Sequence, residues 1–227
     1  MELKPQSVKY FENFDGLRFF SAIAVLFFHK FNNTPWLFYN ESPIFYRTGS
    51  FIFRNGFIGV NFFFVLSGFL ITYLIHQEID KTGKFCFRTF IIRRILRIWP
   101  LYFLILAIGF YLKGNLNGFG YYISFLSNIE VIYQNKFQTG ILFPLWSVSI
   151  EEQYYFLIPI ILFLLKLKKS THFIVFYGAL LILSTIYQII NREDINKLHY
   201  ATISCITDLS IGGFVATLAF HTRRFTS

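Results

Sequence analysis

Apolar residues of this 227-residue chain fall into six long runs, separated by stretches rich in polar and basic residues. At about 1.5 Å per residue, a helix over each run approaches the roughly 30 Å thickness of a bilayer's hydrocarbon core. We therefore predict an all-α, polytopic transmembrane helical bundle in a single domain over residues 1–227. The predicted helices are 15–31, 57–75, 91–112, 146–165, 173–190 and 201–220.

The segments between these runs predict the topology. Residues 32–55 contain Asn-Asn, Thr-Pro and Ser-Pro pairs and have no sustained period, which indicates an external loop. Residues 113–139 hold an apolar piece too short to span, so we expect an external, partly re-entrant or interfacial segment. Residues 76–97 are polar and strongly basic and predict a cytoplasmic loop. With every strong basic cluster placed inside, both termini are predicted to be cytoplasmic.

Composition supports a membrane protein and argues against nucleic-acid binding. The chain is 55% hydrophobic and 15% charged, which is outside the usual range of soluble domains. Its net charge of +9 could suggest a nucleic-acid partner, but the basic residues lie in short clusters beside apolar runs, as in cytoplasmic loops. We expect the lipid bilayer to be the partner of this surface. The two cysteines have no metal-ligand spacing, and no metal site is predicted.

The first predicted helix carries two ionisable residues on one face. Arg18 and His29 are eleven residues apart, which places them within roughly 20° of each other and about 16 Å apart along a helix. Ionisable groups in membrane helices are costly and usually face a pathway or a reaction site. The alternative is a histidine satisfied within the core. Asp15 lies three residues before Arg18, within side-chain reach, and could orient it.

Two adjacent carboxylates, Glu151 and Glu152, lie near the start of the predicted fourth helix. Ser149 and Glu152 fit the S-x-x-E pattern of a capping box, so one glutamate could serve only as a cap. Two carboxylates beside Trp146 exceed what a cap requires. Because adjacent helical residues point about 100° apart, we do not expect these two to act as a facing acid and base pair.

Other charged and small residues also invite two interpretations. The third helix begins with a cluster of arginines suited to binding phosphate, although anchoring to lipid headgroups would need the same residues. An aspartate within the sixth helix is a functional candidate because charge is costly in a membrane. Small residues on the second helix favour close helix packing. These groups are Arg93, Arg94 and Arg97; Asp208; and Gly59, Ser67 and Gly68.

Four stretches resemble the acyltransferase-3 family of membrane-bound O-acyltransferases that modify bacterial surface glycans. They are FDGLRFFSAIAVLFFH, GVNFFFVLSGFLIT, RRILRIWPLY and LWSVSIEEQYYF, and they occur in the family's order. A fifth stretch, ITDLSIGGFVATLA, is similar to a later segment of the family. The resemblance covers essentially the whole chain.

The resemblance implies an enzyme of the cytoplasmic membrane with its active site around Arg18 and His29. It implies acetyl-CoA as co-substrate, with no permanently bound cofactor, and a hydroxyl of a carbohydrate or lipid-linked glycan as acceptor. His29 would be the general base, and Arg18 would hold the donor or stabilise negative charge. The Trp146, Ser149 and glutamate-pair signature would orient the histidine or bind acceptor hydroxyls.

Two departures from the family pattern leave other functions open. Asn61 stands where many members have an acidic residue. The family usually has about ten membrane helices, so we expect this chain to be the N-terminal part of the family's domain. The alternatives are a proton-coupled transporter, for which His29, Asp208 and the glutamates could form a relay, and a truncated, catalytically inactive relative.

Overall fold

The computed structural model describes residues 12–33, 58–115, 117–134, 140–165 and 169–226. These residues form helices and connecting turns, with no strand among them. A short 3₁₀ turn lies at Gly140–Leu142. The predicted external loop at 32–55 lies outside the described residues from residue 34 onward. In chain order the helices are α1 (Glu12–Asn33), α2 (Ile58–Thr82), α3 (Phe87–Lys113), α4 (Phe119–Ile123), α5 (Ser127–Gln134), α6 (Leu145–Leu164), α7 (Ser170–Ile190), α8 (Ile195–Tyr200) and α9 (Thr202–Thr226).

Within the described residues, five stretches are long and apolar enough to cross a membrane. They confirm the prediction of an all-α, multi-pass membrane protein. The first predicted span is helical, but its apolar part, Gly16–Phe28, is shorter than the roughly 17 residues that a span needs. The prediction of six spans is therefore supported for five. These are Ile58–Thr82, Phe87–Lys113, Gly140–Leu164, Ser170–Ile190 and Ile195–Thr222.

The predicted loop at 76–97 was wrong in its extent. Helix α2 continues to Thr82 and α3 begins at Phe87, so only four residues connect them. The polar residues beyond the apolar run, such as Gln77, Glu78 and Lys81, are good helix formers and prolong α2. As a consequence Pro100 lies in the interior of α3 and not in its first turns. There its missing N–H leaves the carbonyl of Leu96 without its helical partner.

The segment predicted as external or re-entrant forms α4, which packs against the second half of α3, and α5, which packs against α6 and α8. The Tyr102 hydroxyl of α3 donates a hydrogen bond of 2.7 Å to the carbonyl of Tyr122. A buried apolar cluster joins α3, α4, the 3₁₀ turn and the start of α6. This packing gives the short helices a fixed place against the bundle. The cluster consists of Tyr102, Leu106, Phe110, Tyr122, Leu142 and Leu145.

The chain packs as two compact units, residues 1–66 and 67–227, and the single-domain assignment stays a prediction. Within the first unit, a Cβ atom on Gly59 would lie 2.6 Å from the carbonyl oxygen of Ser21. Within the second, a Cβ atom on Gly68 would overlap the carbonyl oxygen of Leu209. The predicted role of these two glycines in close helix packing is confirmed.

A buried histidine that sequence analysis did not nominate joins α2 to α7 and α9. The His76 ring lies between the rings of Phe173 and Phe220, with centroid distances of 4.1 Å and 5.1 Å. Its Nε2 is 3.1 Å from the Thr217 hydroxyl, which itself donates to the carbonyl of Gly213 at 2.9 Å. Because His76 was assigned to a loop, its position on an interior helix face was missed.

Candidate active site

A group of polar and aromatic side chains from α2, α3 and α6 meets where these three helices face one another. Two of its members, Glu151 and Arg94, are buried although both are ionisable. Isolated charges are rarely tolerated in such a place, so each is expected to have a partner. We call this group the carboxylate cluster. It consists of Ser67, Arg94, Trp99, Glu151, Glu152 and Tyr155.

Both carboxylate oxygens of Glu151 accept hydrogen bonds. The Ser67 hydroxyl donates to Oε1 at 2.7 Å, and the Tyr155 hydroxyl donates to Oε2 at 3.1 Å. Tyr155 lies four residues after Glu151 and therefore on the same face of α6. These bonds link α2 to α6 and hold the Glu151 carboxylate in one orientation. Ser67 was predicted to serve packing, and the structure gives it this polar contact as well.

Glu152 faces α3 and is only partly satisfied. Its Oε2 accepts a hydrogen bond of 3.0 Å from the indole nitrogen of Trp99. Its Oε1 is buried and has no hydrogen-bond partner among the residues that the structure describes. Glu151 and Glu152 thus contact different helices, which agrees with the prediction that they would not form a facing pair.

The capping-box interpretation of Ser149 and Glu152 was wrong. Helix α6 begins at Leu145, with Pro144 at its N-cap, so Ser149 already lies inside the helix. The Ser149 hydroxyl donates to the carbonyl of Leu145 at 3.0 Å and is 2.7 Å from the Ser127 hydroxyl. The helix thus begins one residue before the predicted start at 146, which leaves Ser149 too far from the N-terminus to cap it.

The structure divides the three arginines that were predicted to act together. Arg93 and Arg97 are exposed and, being four residues apart, share one face of α3. Arg94 is buried on another face, with its guanidinium 5.0 Å from the Tyr155 ring centroid and 5.4 Å from that of Phe90. A cation over an aromatic face is attracted by the ring quadrupole. Arg94 therefore belongs to the carboxylate cluster and not to a surface phosphate site.

Arg18 and His29 both lie on the uninterrupted helix α1, as predicted. Arg18 is half-buried, its guanidinium is 5.9 Å from the Phe63 ring centroid, and its buried Nε has no hydrogen-bond partner among the described side chains. The side chains of Asp15 and His29 lie outside the described residues. Their predicted roles stay predictions.

Two further candidate residues form no described hydrogen bond with Glu151 or Glu152. Trp146, in the first turn of α6, contacts Tyr200 edge-on with ring centroids 4.8 Å apart. Asp208 is half-buried on α9, and no described residue forms a hydrogen bond or an ion pair with it. The described contacts place neither residue in the carboxylate cluster.

Comparison with known proteins identifies the family. The family profile described as an acyltransferase domain matches residues 11–225. The chain belongs to the acyltransferase-3 family. It is 31% identical to O-acetyltransferase OatA of Staphylococcus aureus (strain NCTC 8325 / PS 47), over 94% of this chain and 35% of that protein. It is 30% identical to a protein named "Putative O-acetyltransferase SACOL0978" of S. aureus (strain COL), over 95% of this chain and 36% of that protein.

The chain spans about a third of the length of these curated relatives. No solved structure matches it. Three of the stretches by which the sequence resembles the acyltransferase-3 family lie on α2, α3 and α6, and each contributes side chains to the carboxylate cluster. The cluster is thus built from the parts of the chain that carry the family resemblance.

Sequence reasoning nominated both glutamates and Arg94 but missed Trp99 and Tyr155. A signal for Tyr155 was present, because a residue four positions after a buried glutamate shares its helix face. No comparable signal in the sequence pointed to Trp99, because its hydrogen bond to Glu152 depends on the alignment of two helices that are distant in sequence.

Proposed function

We propose that this chain transfers an acetyl group from cytoplasmic acetyl-CoA to a hydroxyl of a cell-surface carbohydrate or lipid-linked glycan. The observation that carries the proposal is the buried carboxylate cluster between three apolar helices of an acyltransferase-3 family chain. Burying a carboxylate costs free energy of desolvation, and apolar side chains of similar size would pack the interior without that cost. Two glutamates in this cluster therefore indicate a role beyond packing. A cluster of this kind suits the binding of hydroxyl groups.

The chemistry is a direct acyl transfer with His29 as general base. The imidazole takes the proton of the acceptor hydroxyl as its oxygen attacks the thioester carbonyl carbon. The tetrahedral intermediate collapses, the carbon–sulfur bond breaks, and the CoA thiolate takes the proton from the imidazolium. Arg18, on the same face of α1, stabilises the negative charge on the carbonyl oxygen or holds the donor, and Asp15 orients Arg18.

The donor is proposed to bind at the end of α3 that begins with basic residues. Arg93 and Arg97 are exposed on one face there and can form charge-assisted hydrogen bonds with the phosphates of CoA. The positive-inside rule places this end, and the N-terminus of the chain, at the cytoplasmic side. Acetyl-CoA is produced in the cytoplasm, so this orientation gives the donor direct access.

Arg93 and Arg97 are expected to affect donor binding differently from Arg94. Arg93→Gln combined with Arg97→Gln should raise the apparent KM for acetyl-CoA about 10-fold, because each charge-assisted bond to phosphate contributes roughly 1.5 kcal/mol or less at an exposed site. Arg94→Gln should instead lower kcat and the thermal midpoint, since Arg94 packs on Tyr155. Initial rates at varied acetyl-CoA check this, with Lys113→Gln at the opposite end of α3 as the control. Equal KM effects from Arg94→Gln would contradict the division.

The proposed function is tested with inverted membrane vesicles that contain this chain and radiolabelled acetyl-CoA. We expect label in the glycan fraction that is released by mild base, as an ester would be, and that is absent from vesicles without the chain. Label that fails to reach a base-labile ester would overturn the proposal. If a proton gradient alone drove acetate or glycan movement without ester formation, the chain would be a transporter.

A further inference from the structure

The two glutamates of the carboxylate cluster differ in how completely they are bonded, and this difference assigns them separate tasks. We propose that Glu152 is the carboxylate that contacts the acceptor, through Oε1, and that Glu151 serves as the framework that holds α2 and α6 together. The inference rests on the proposed function and names a group that binds its acceptor.

The two glutamates differ in the number of hydrogen bonds that their carboxylate oxygens accept. An ionised carboxylate only accepts hydrogen bonds, and buried polar atoms almost always have a partner. Glu151 has a described donor on each oxygen, from Ser67 and Tyr155. Within the described part of the chain, Glu152 has a donor on Oε2 alone, while its buried Oε1 has none. A buried acceptor left unpaired destabilises the fold, so the missing donor is expected to come from a molecule that binds during the reaction.

The surroundings of Glu152 indicate which donor this is. The Trp99 ring that bonds its Oε2 lies 5.8 Å from Phe103 and 5.4 Å from Phe125, measured between ring centroids. These rings form an aromatic surface next to the carboxylate. A sugar presents both an apolar face of C–H groups, which packs on aromatic rings, and hydroxyl groups, which donate to a carboxylate. The combination fits a carbohydrate, whose hydroxyl would donate to Oε1 while its C–H face packs on the rings.

Trp99 is then a positioning residue. Its indole N–H fixes one oxygen of Glu152, which leaves the other oxygen in a defined direction. Since Trp99 lies on α3 and Glu152 on α6, the direction of Oε1 depends on the alignment of these two helices. Loss of the indole nitrogen should therefore weaken acceptor use without removing the carboxylate.

The test measures apparent KM and kcat for both substrates in Glu152→Gln, Trp99→Phe and wild type. The donor is acetyl-CoA and the acceptor is isolated cell-envelope glycan. Glu152→Gln should lower kcat/KM for the glycan about 10- to 100-fold, the loss expected for one charge-assisted hydrogen bond, and leave KM for acetyl-CoA within about 2-fold. Trp99→Phe should act in the same direction by about 3- to 10-fold. Glu193→Gln, an exposed carboxylate, is the matched control and should match wild type.

Framework and acceptor roles are separated by thermal unfolding. Ser67→Ala and Tyr155→Phe should lower the thermal midpoint, because each removes a donor from the buried Glu151 carboxylate. Glu152→Gln should lower it less than either. The inference is overturned if Glu152→Gln keeps the wild-type kcat/KM for glycan, or if its effect falls on KM for acetyl-CoA. Should Glu152→Gln fail to fold, an unchanged Trp99→Phe enzyme overturns it equally. A wild-type chain that transfers no acetyl group overturns the proposed function and this inference with it.

Discussion

His29→Ala is expected to abolish detectable acetyl transfer, with a loss of about 100- to 10,000-fold in kcat, the range that a positioned general base contributes. An unperturbed imidazole has a pKa of about 6.5 and can take the acceptor's proton near neutral pH. Alanine removes the only group that we assign to this step, while leaving a residue with high helix propensity in α1. Insertion of the protein into the membrane should therefore continue.

The measurement is incorporation of radiolabelled acetyl groups into surface glycans by cells with matched membrane levels of each variant. His172→Ala, an exposed histidine at the start of α7, is the control and should retain wild-type activity. If His29→Ala kept more than about a tenth of wild-type activity, a general-base role would be excluded, because such a loss corresponds to no more than about 1.4 kcal/mol.

Gly68→Ala should have the largest effect on folding. A Cβ atom at this position would overlap the backbone of Leu209, and a backbone cannot rotate away as the end of a side chain can. Overpacking usually costs about 1 to 3 kcal/mol, and we expect the upper end or more here. This exceeds the roughly 1 kcal/mol that alanine gains over glycine within a helix. The protein should show a markedly lower thermal midpoint and lower membrane levels.

Gly178→Ala is the matched control, since Gly178 also lies within a membrane helix but has open space around it. It should be neutral or slightly stabilising by the same propensity difference. Thermal unfolding in detergent, followed by loss of the monodisperse fraction, compares the two variants. Similar midpoints for Gly68→Ala and wild type would show that α2 and α9 separate at little cost.

The helices could be predicted from sequence because their apolar runs are long, and lipid demands such runs wherever a helix crosses. Their ends were harder to predict, as α2 illustrates. Its last turns are polar and read as a loop, yet helix formation does not require apolar residues. The start of α6 was predicted to within one residue, at 146 against Leu145, whereas the S-x-x-E pattern suggested a cap at Ser149 that lies too far inside the helix.

The chemistry of the site was predicted residue by residue, but its connections were not. Glu151 and Glu152 drew attention because carboxylates are rare in apolar helices. Which oxygen meets Ser67 and which meets Trp99 depends on contacts across 84 and 53 positions of sequence. Arg94 shows the same limit. Arg94 was grouped with Arg93 and Arg97 because the three are close in sequence, whereas its side chain lies on a buried face of α3.

The contacts of His76 couple the movement of two helices. Its ring packs against Phe173 of α7 and Phe220 of α9, and its Nε2 is 3.1 Å from the Thr217 hydroxyl of α9. Because one side chain of α2 contacts both partners, neither α7 nor α9 can move away from α2 at this end without leaving the ring. Opening of the bundle here is therefore expected to displace α7 and α9 together.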